Sequence, residues 1–199
     1  MKRLPPDRDT VFSDPAFASR YAKRHAEMQR KSGKQYAEKL RVKSFTKGRI
    51  LDAGCGFGET LILLGQSFPE SVLTGIDLSD PLLDIARLSA SRAGVSGRIE
   101  FEKADVCSIP HPDKYFEVAL NINMVHLVEH PVQMLDELER VLTDDGFLFI
   151  ADIRRSWIGL LEREFLSALT VREAKQLLGQ STIRKGAMTS SMLWWRYEG

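Results

Sequence analysis

The chain has 199 residues, 43% of them hydrophobic, and a formal net charge of +1, proportions that suit one globular domain and leave little room for a second. No apolar run is long enough to span a membrane, and the opening MKRLPPDRDT lacks the apolar stretch of a secretory signal, so no membrane association and a cytoplasmic address are expected. The two cysteines, Cys55 and Cys107, can build neither a disulfide framework nor a zinc site by themselves and are expected to stay as thiols.

Charge is spread unevenly. Met1 to Gly48 holds 13 Lys/Arg against 5 Asp/Glu, a surplus of +8 in a nearly neutral chain. A solvated helix face is the simplest reading, with an anionic substrate as the other; without aromatic interleaving, a nucleic-acid partner is not favoured. Asp14-Pro15 reads as an N-cap with a first-turn proline. Phe17, Tyr21, His25 and Met28 then follow at helical spacing as far as Gly33, which predicts one helix, and a second is predicted from Lys34 towards Val42.

From Arg49 onwards short apolar runs alternate with helical segments. The order is RILDAG (strand), TLILLGQSF (helix), VLTGIDL (strand), PLLDIARLSASRAG (helix) and IEFEKADV (strand), then FEVALNIN (strand), PVQMLDELERVL (helix) and GFLFIADI (strand). This alternation predicts an α/β fold, a mostly parallel sheet with helices on both faces. After Asp152, RRSWIGLLEREFLSAL reads as a short helical connection, TVREAKQLL as a helix stopped by Gly179, and STIRKGAMTSSMLWWRY as a final hairpin-like strand pair with one of Trp194 and Trp195 facing in. No internal repeat or linker interrupts the chain.

The stretch DAGCGFGET sits where the first strand turns into its helix, the place where ligands bind in parallel α/β sheets. Gly54, Gly56 and Gly58 permit positive φ and close approach to the main chain, and the helix behind them offers unpaired N–H groups. A phosphate loop for a nucleoside triphosphate would need Gly-Lys-Ser/Thr, but the chain reads Gly58-Glu59-Thr60. The dinucleotide fingerprint places its third glycine where Glu59 stands, which makes NAD the second choice. A cationic or zwitterionic ligand fits better, because Asp52, Asp77 and Asp105 each lie near the end of a predicted strand. Asp77 is placed to accept both hydroxyls of a ribose, and Asp105 an exocyclic amine of adenine, with Leu78 and Val106 offering apolar contact to the ring.

These residues together resemble the class I S-adenosylmethionine-dependent methyltransferases, above all the small-molecule branch that includes the ubiquinone/menaquinone-type enzymes. ILDAGCGFG is similar to that family's glycine motif, GIDLS to its ribose-binding acid, ADVCSIP to its adenine loop and FEVALNINMVHLVEHP to its fourth strand and substrate-facing loop; the likeness covers about Arg49 to Asp152. It implies a Rossmann-like three-layer sandwich of seven strands, the last antiparallel and corresponding to MLWWRY. It also implies a cofactor site drawn from Asp52, Gly54, Cys55, Gly56, Asp77, Leu78, Asp105, Val106 and Asn121. Gly54 and Gly56 would meet the methionine part and Asn121 the neighbourhood of the sulfonium. Residues 49–152 would then form the cofactor-binding core, 1–48 a helical lid and substrate region, and 153–199 the closing helices and strand pair. The implied activity is transfer of a methyl group to a small-molecule acceptor by in-line displacement, leaving S-adenosylhomocysteine. Against it stand an NAD-dependent oxidoreductase and a non-catalytic S-adenosylmethionine-binding scaffold.

Two departures and three candidate residues complete the reading. Glu117 stands where the family's fourth strand more often has aspartate, and Asn121-Ile122-Asn123-Met124 is not the Asn/Asp-Pro-Pro-aromatic tetrapeptide of the nucleic-acid amino-methylating enzymes. HLVEH matches a zinc peptidase pattern in letters, but Pro131 follows it and a strand precedes it, so no metal is expected. His126 and Asn123, just past the fourth strand, and Tyr21, on the first helix, are the substrate-side candidates. His126 is open to reading as a base or as a structural histidine, and Tyr21 as a lid residue or as core. No dedicated catalytic base is assigned.

Overall fold

The computed structural model describes residues 12–156 and 164–199. Asp14 caps the first helix, its carboxylate accepting from the Ala16 N–H at 2.9 Å. That helix, α1 (Pro15–Val42), runs unbroken through Gly33, where two helices were expected. Gly33 is a contact rather than a stop. A Cβ there would lie 2.8 Å from Leu63 Cβ and 3.1 Å from the Thr60 carbonyl oxygen, so the missing side chain lets α1 press directly on the next helix.

The remaining elements follow the predicted alternation: β1 (Arg49–Ala53), α2 (Glu59–Ser67), β2 (Val72–Asp77), α3 (Asp80–Arg92), β3 (Ile99–Lys103), β4 (Phe116–Ile122), α4 (Pro131–Val141) and β5 (Leu142–Ile153). A short α5 (Glu164–Ser167), α6 (Val171–Gln180), β6 (Ala187–Ser190) and β7 (Trp194–Glu198) close the chain. The part of the expected helical connection at 157–163 lies outside the described residues, as do residues 1–11 of the basic segment. Helix α6 continues past Gly179, which costs only the propensity difference from alanine. Its start is secured by a capping box between Thr170 and Glu173.

The seven strands form one sheet in the order β3-β2-β1-β4-β5-β7-β6, parallel except for β7, which pairs antiparallel with both β5 and β6. The strands have two buried faces, so alternate residues feed two cores. Ile50, Leu73, Val118, Leu120 and Phe149 pack towards α1, α2 and α3. Leu51, Ala119, Leu148, Ile150 and Trp195 pack towards α4 and α6. Trp195 is fully buried and Trp194 half-buried. Glu117, the departure noted at the start of β4, forms an ion pair with Arg49 at 2.6 Å. It joins two neighbouring strands at the end opposite the glycine loop. Among the described residues no helix is long and apolar enough to cross a membrane.

Candidate cofactor and active site

Strand order reverses between β1 and β4, because the chain moves one way from β1 through β2 to β3 and the other way from β4 to β5. Such a switch point leaves a crevice beyond the carboxyl ends of the strands. Here the crevice is a cleft of about 640 Å³, a size that holds a small ligand. The glycine loop forms its floor. Gly54, Gly56 and Gly58 all have positive φ, at 83°, 55° and 75°, but they serve different ends. A Cβ on Gly54 would meet Met124 Sδ at 2.8 Å and one on Gly58 would meet Phe101 at 2.8 Å, whereas one on Gly56 would meet only Gln29 Nε2, at 3.7 Å. Gly54 and Gly58 therefore allow close packing, and Gly56 keeps the cleft open.

Asp77 organises the floor. Its Oδ2 accepts from the Gly56 N–H at 2.8 Å and its Oδ1 from the Ser79 N–H at 2.9 Å. Each oxygen keeps a further lone pair, enough to receive a diol. Burial raises its pKa, against the pull of those N–H groups. Asp52 lies deeper, 3% exposed, and burial, reinforced by the Asp77 charge, pushes its pKa up to about 7. Burial also drives the Cys55 thiol well up, with Asp77 and Asp52 adding to it. Its sulfur packs on Gly75, where a Cβ would come within 2.8 Å.

At the far end stand Asp105, Val106 and Leu78. Asp105 is exposed, its Oδ1 accepting from the Cys107 N–H at 2.8 Å; Val106 is buried; Leu78 is 56% exposed. Leu78 and Val106 both line the cleft, where apolar side chains can meet a flat ring. Helix α1 roofs the cleft with Tyr21, Met28, Gln29 and Ser32. Tyr21 meets Phe12, Phe17, His25 and Phe57 in a cluster of rings, at centroid distances of 5.2, 6.2, 4.3 and 6.1 Å. It is thus both packed and at the cleft wall. Ser79 Oγ donates to the Phe12 carbonyl at 2.6 Å, tying the entry to α1 onto the start of α3. Sequence reasoning missed Met28, Gln29 and Ser32, which carry no motif. Only their helical spacing from Tyr21 pointed towards this face.

Asn123 also lines the cleft. It sits at φ 58°, with its N–H on the Ala151 carbonyl at 2.7 Å and its Oδ1 buried without a partner. One expectation, for Asn121, is corrected, and the open reading of His126 gains a geometry. Asn121 is fully buried and stands outside the cleft wall, its Nδ2 donating to the Ala53 carbonyl at 2.8 Å. Side chains alternate along a strand, so Asn121 faces the core shared with α4. His126 is 1% exposed and likewise absent from the cleft wall. Its Nδ1 is 2.8 Å from Asp152 Oδ1 and its backbone N–H donates to Oδ2 at 2.7 Å. This geometry suits the structural alternative for His126. Within HLVEH, Glu129 and His130 are exposed while His126 is buried, and the segment is a 3-10 turn followed by Pro131. Its side chains do not converge. The basic residues Arg20, Lys23, Arg24, Lys31 and Lys34 of α1 are exposed and are not among the residues lining the cleft.

The strand order with its reversed β7, the glycine loop, and an acid at the end of β2 define a class I S-adenosylmethionine-dependent methyltransferase domain. Comparison with known proteins agrees: residues 51–150 match the family model described as a methyltransferase domain, and the chain belongs to that family. It is 33% identical over 106 residues to a fatty-acid O-methyltransferase of Mycolicibacterium smegmatis, covering 53% of this chain and 37% of that protein. It is 29% identical over 143 residues to the phthiotriol/phenolphthiotriol dimycocerosates methyltransferase of Mycobacterium leprae, covering 71% of this chain and 52% of that one. The match thus spans about half or less of these relatives' length. In fold, the chain is similar to geranyl diphosphate C-methyltransferase of Streptomyces coelicolor, solved with S-adenosyl-L-homocysteine, with a TM-score of 0.69 at 14% identity over 99% of this chain and 89% of that one. It is also similar to a Methanococcus maripaludis protein assigned to the S-adenosyl-L-methionine-dependent methyltransferases, with a TM-score of 0.79 at 17% identity over 98% and 96% of the two chains. These likenesses specify the domain and not the ubiquinone/menaquinone-type branch.

Proposed function

We propose that this chain binds S-adenosylmethionine in the cleft and transfers its methyl group to a small-molecule acceptor. The observation that carries the reading is the sign of the cleft wall. Asp52, Asp77 and Asp105 line it, and among the described lysines and arginines only Lys103 does, engaged by Asp80. A dinucleotide would bring a pyrophosphate against three carboxylates. A ligand carrying a sulfonium, an ammonium and a ribose diol meets complementary acceptors instead.

When bound, the cofactor supplies a methyl group already activated by the positive sulfur. The protein's share of the work is positioning and exclusion of water. In this reading Asp77 holds the ribose diol, Leu78 and Val106 flank the adenine with Asp105 at its amine, and Gly56 leaves room for the methionine part. Asn123, at the end of β4, offers Oδ1 to a protic group of the acceptor, and Tyr21 closes the roof. We place the activity in the cytoplasm, where Cys55 and Cys107 stay as thiols. Oxygen acceptors, as in the name of the fatty-acid O-methyltransferase, are the first to test. The described cations of α1 are absent from the cleft wall, so the wall gives an anionic acceptor no cationic partner beyond Lys103.

Calorimetric titration with S-adenosylmethionine, S-adenosylhomocysteine and NAD tests the reading. Binding of both sulfur nucleotides without NAD supports it and leads to an acceptor screen with labelled methyl. Binding of NAD alone would overturn it.

A further inference from the structure

Gln29 stands midway along α1, and its main chain is fixed. The Thr60 hydroxyl donates to the Gln29 carbonyl at 3.2 Å, and one turn further on Gly33 packs against Leu63. The side chain reaches over the glycine loop, with Nε2 3.7 Å from the point where a Cβ on Gly56 would stand. The residue lines the cleft, and its Oε1 is buried with no hydrogen-bond partner. A buried acceptor left unpaired costs about 1–3 kcal/mol, and natural proteins leave few of them. The nearest element of the floor is the loop assigned above to the methionine part of the cofactor, and the Asp52 carboxylate belongs to the same wall.

Given the cofactor reading above, on which this rests, we propose that Gln29 is a specificity-determining residue for the amino-acid end of the cofactor. Its Oε1 accepts a hydrogen bond from the α-ammonium, beside Asp52, while its Nε2 offers a donor to the α-carboxylate. A carboxamide presents both polarities at once, which matches a zwitterion. Helix α1 is therefore part of the cofactor site and not only a cover for the acceptor. The adenosine end, bound by Asp77 and Asp105, makes no use of Gln29.

Truncated ligands test this directly. S-Adenosylmethionine and S-adenosylhomocysteine carry the amino-acid end, and 5′-methylthioadenosine lacks it. Titration of the wild type, Gln29→Met and Gln29→Glu with all three should show that Gln29→Met weakens the first two about tenfold or more, as expected for a hydrogen bond to a charged group. Affinity for methylthioadenosine should stay unchanged, and Gln29→Glu, which keeps an acceptor but sets a negative charge where the donor to the α-carboxylate stood, should likewise weaken only the full-length ligands. Equal losses for all three ligands would show that Gln29 acts through packing, and no loss would show that a water satisfies it; either overturns the assignment. A wild type that binds none of the three would overturn the cofactor reading and this assignment with it. Retained methylthioadenosine binding separates the two failures.

Discussion

The carboxylate of Asp77 receives the backbone N–H of Gly56 at 2.8 Å, so the acid at the end of β2 holds the glycine loop at the end of β1. One side chain thus both shapes the loop and faces the ligand. Replacing it removes two kinds of interaction. Asp77→Ala is expected to weaken S-adenosylmethionine binding by about 2 kcal/mol or more through the lost ribose contacts. It should also lower the melting temperature of the ligand-free protein, because the Gly56 and Ser79 N–H groups lose their acceptor. Calorimetry and a thermal melt separate these effects, and unchanged affinity would refute the ribose assignment.

The raised pKa of Asp52 predicts a pH dependence with a definite sign. The unfolded aspartate ionises near its ordinary value, whereas the folded one holds its proton to about 7. Between those values the folded state binds more protons, so the contribution to stability is fully present in acid and lost as pH rises through 7. Asp77, also shifted upwards by burial, acts in the same direction. The ligand-free protein should therefore melt at a lower temperature at pH 8 than at pH 5.5, and Asp52→Asn should reduce the difference. A cationic ligand favours the ionised carboxyl, so binding at pH 6.5 should release protons. Titrations in buffers of different ionisation enthalpy measure that release directly.

Gly33 sets helix propensity against packing. Alanine there would gain about 1 kcal/mol of propensity but would set a methyl 2.8 Å from Leu63 Cβ and 3.1 Å from a backbone oxygen. Neither neighbour is the free end of a flexible chain. Overpacking costs about 1–3 kcal/mol, so Gly33→Ala should destabilise the protein in urea unfolding. It should also shift Gln29 and weaken cofactor binding.

His126 and Asp152 tie the turn after β4 to the end of β5. His126→Ala would remove a buried ring and one partner of a buried carboxylate, with an expected loss of about 2–3 kcal/mol in unfolding free energy. Cofactor affinity should change little, since the histidine stands outside the cleft wall. A full loss of methyl transfer at unchanged stability would restore His126 as a base.

What the sequence determined by itself was the local and the periodic. Strand and helix alternation, the Asp14-Pro15 start and the glycine loop all depend on residues adjacent in the chain, and so do the acids at or near the ends of β1, β2 and β3. Those features were enough for the α/β class and the position of the crevice. The tertiary structure decided which way side chains face and what glycine is for. Gly33 reads as a helix stop until Leu63 is seen across from it. Asn121 and Asn123 look equivalent two residues apart, yet the strand ends between them, so one is buried in the core and the other reaches the cleft. Gln29 carries no motif at all. Its place in the site comes from the packing of α1 across α2, a contact between segments 31 residues apart, and no local pattern encodes contacts of that kind.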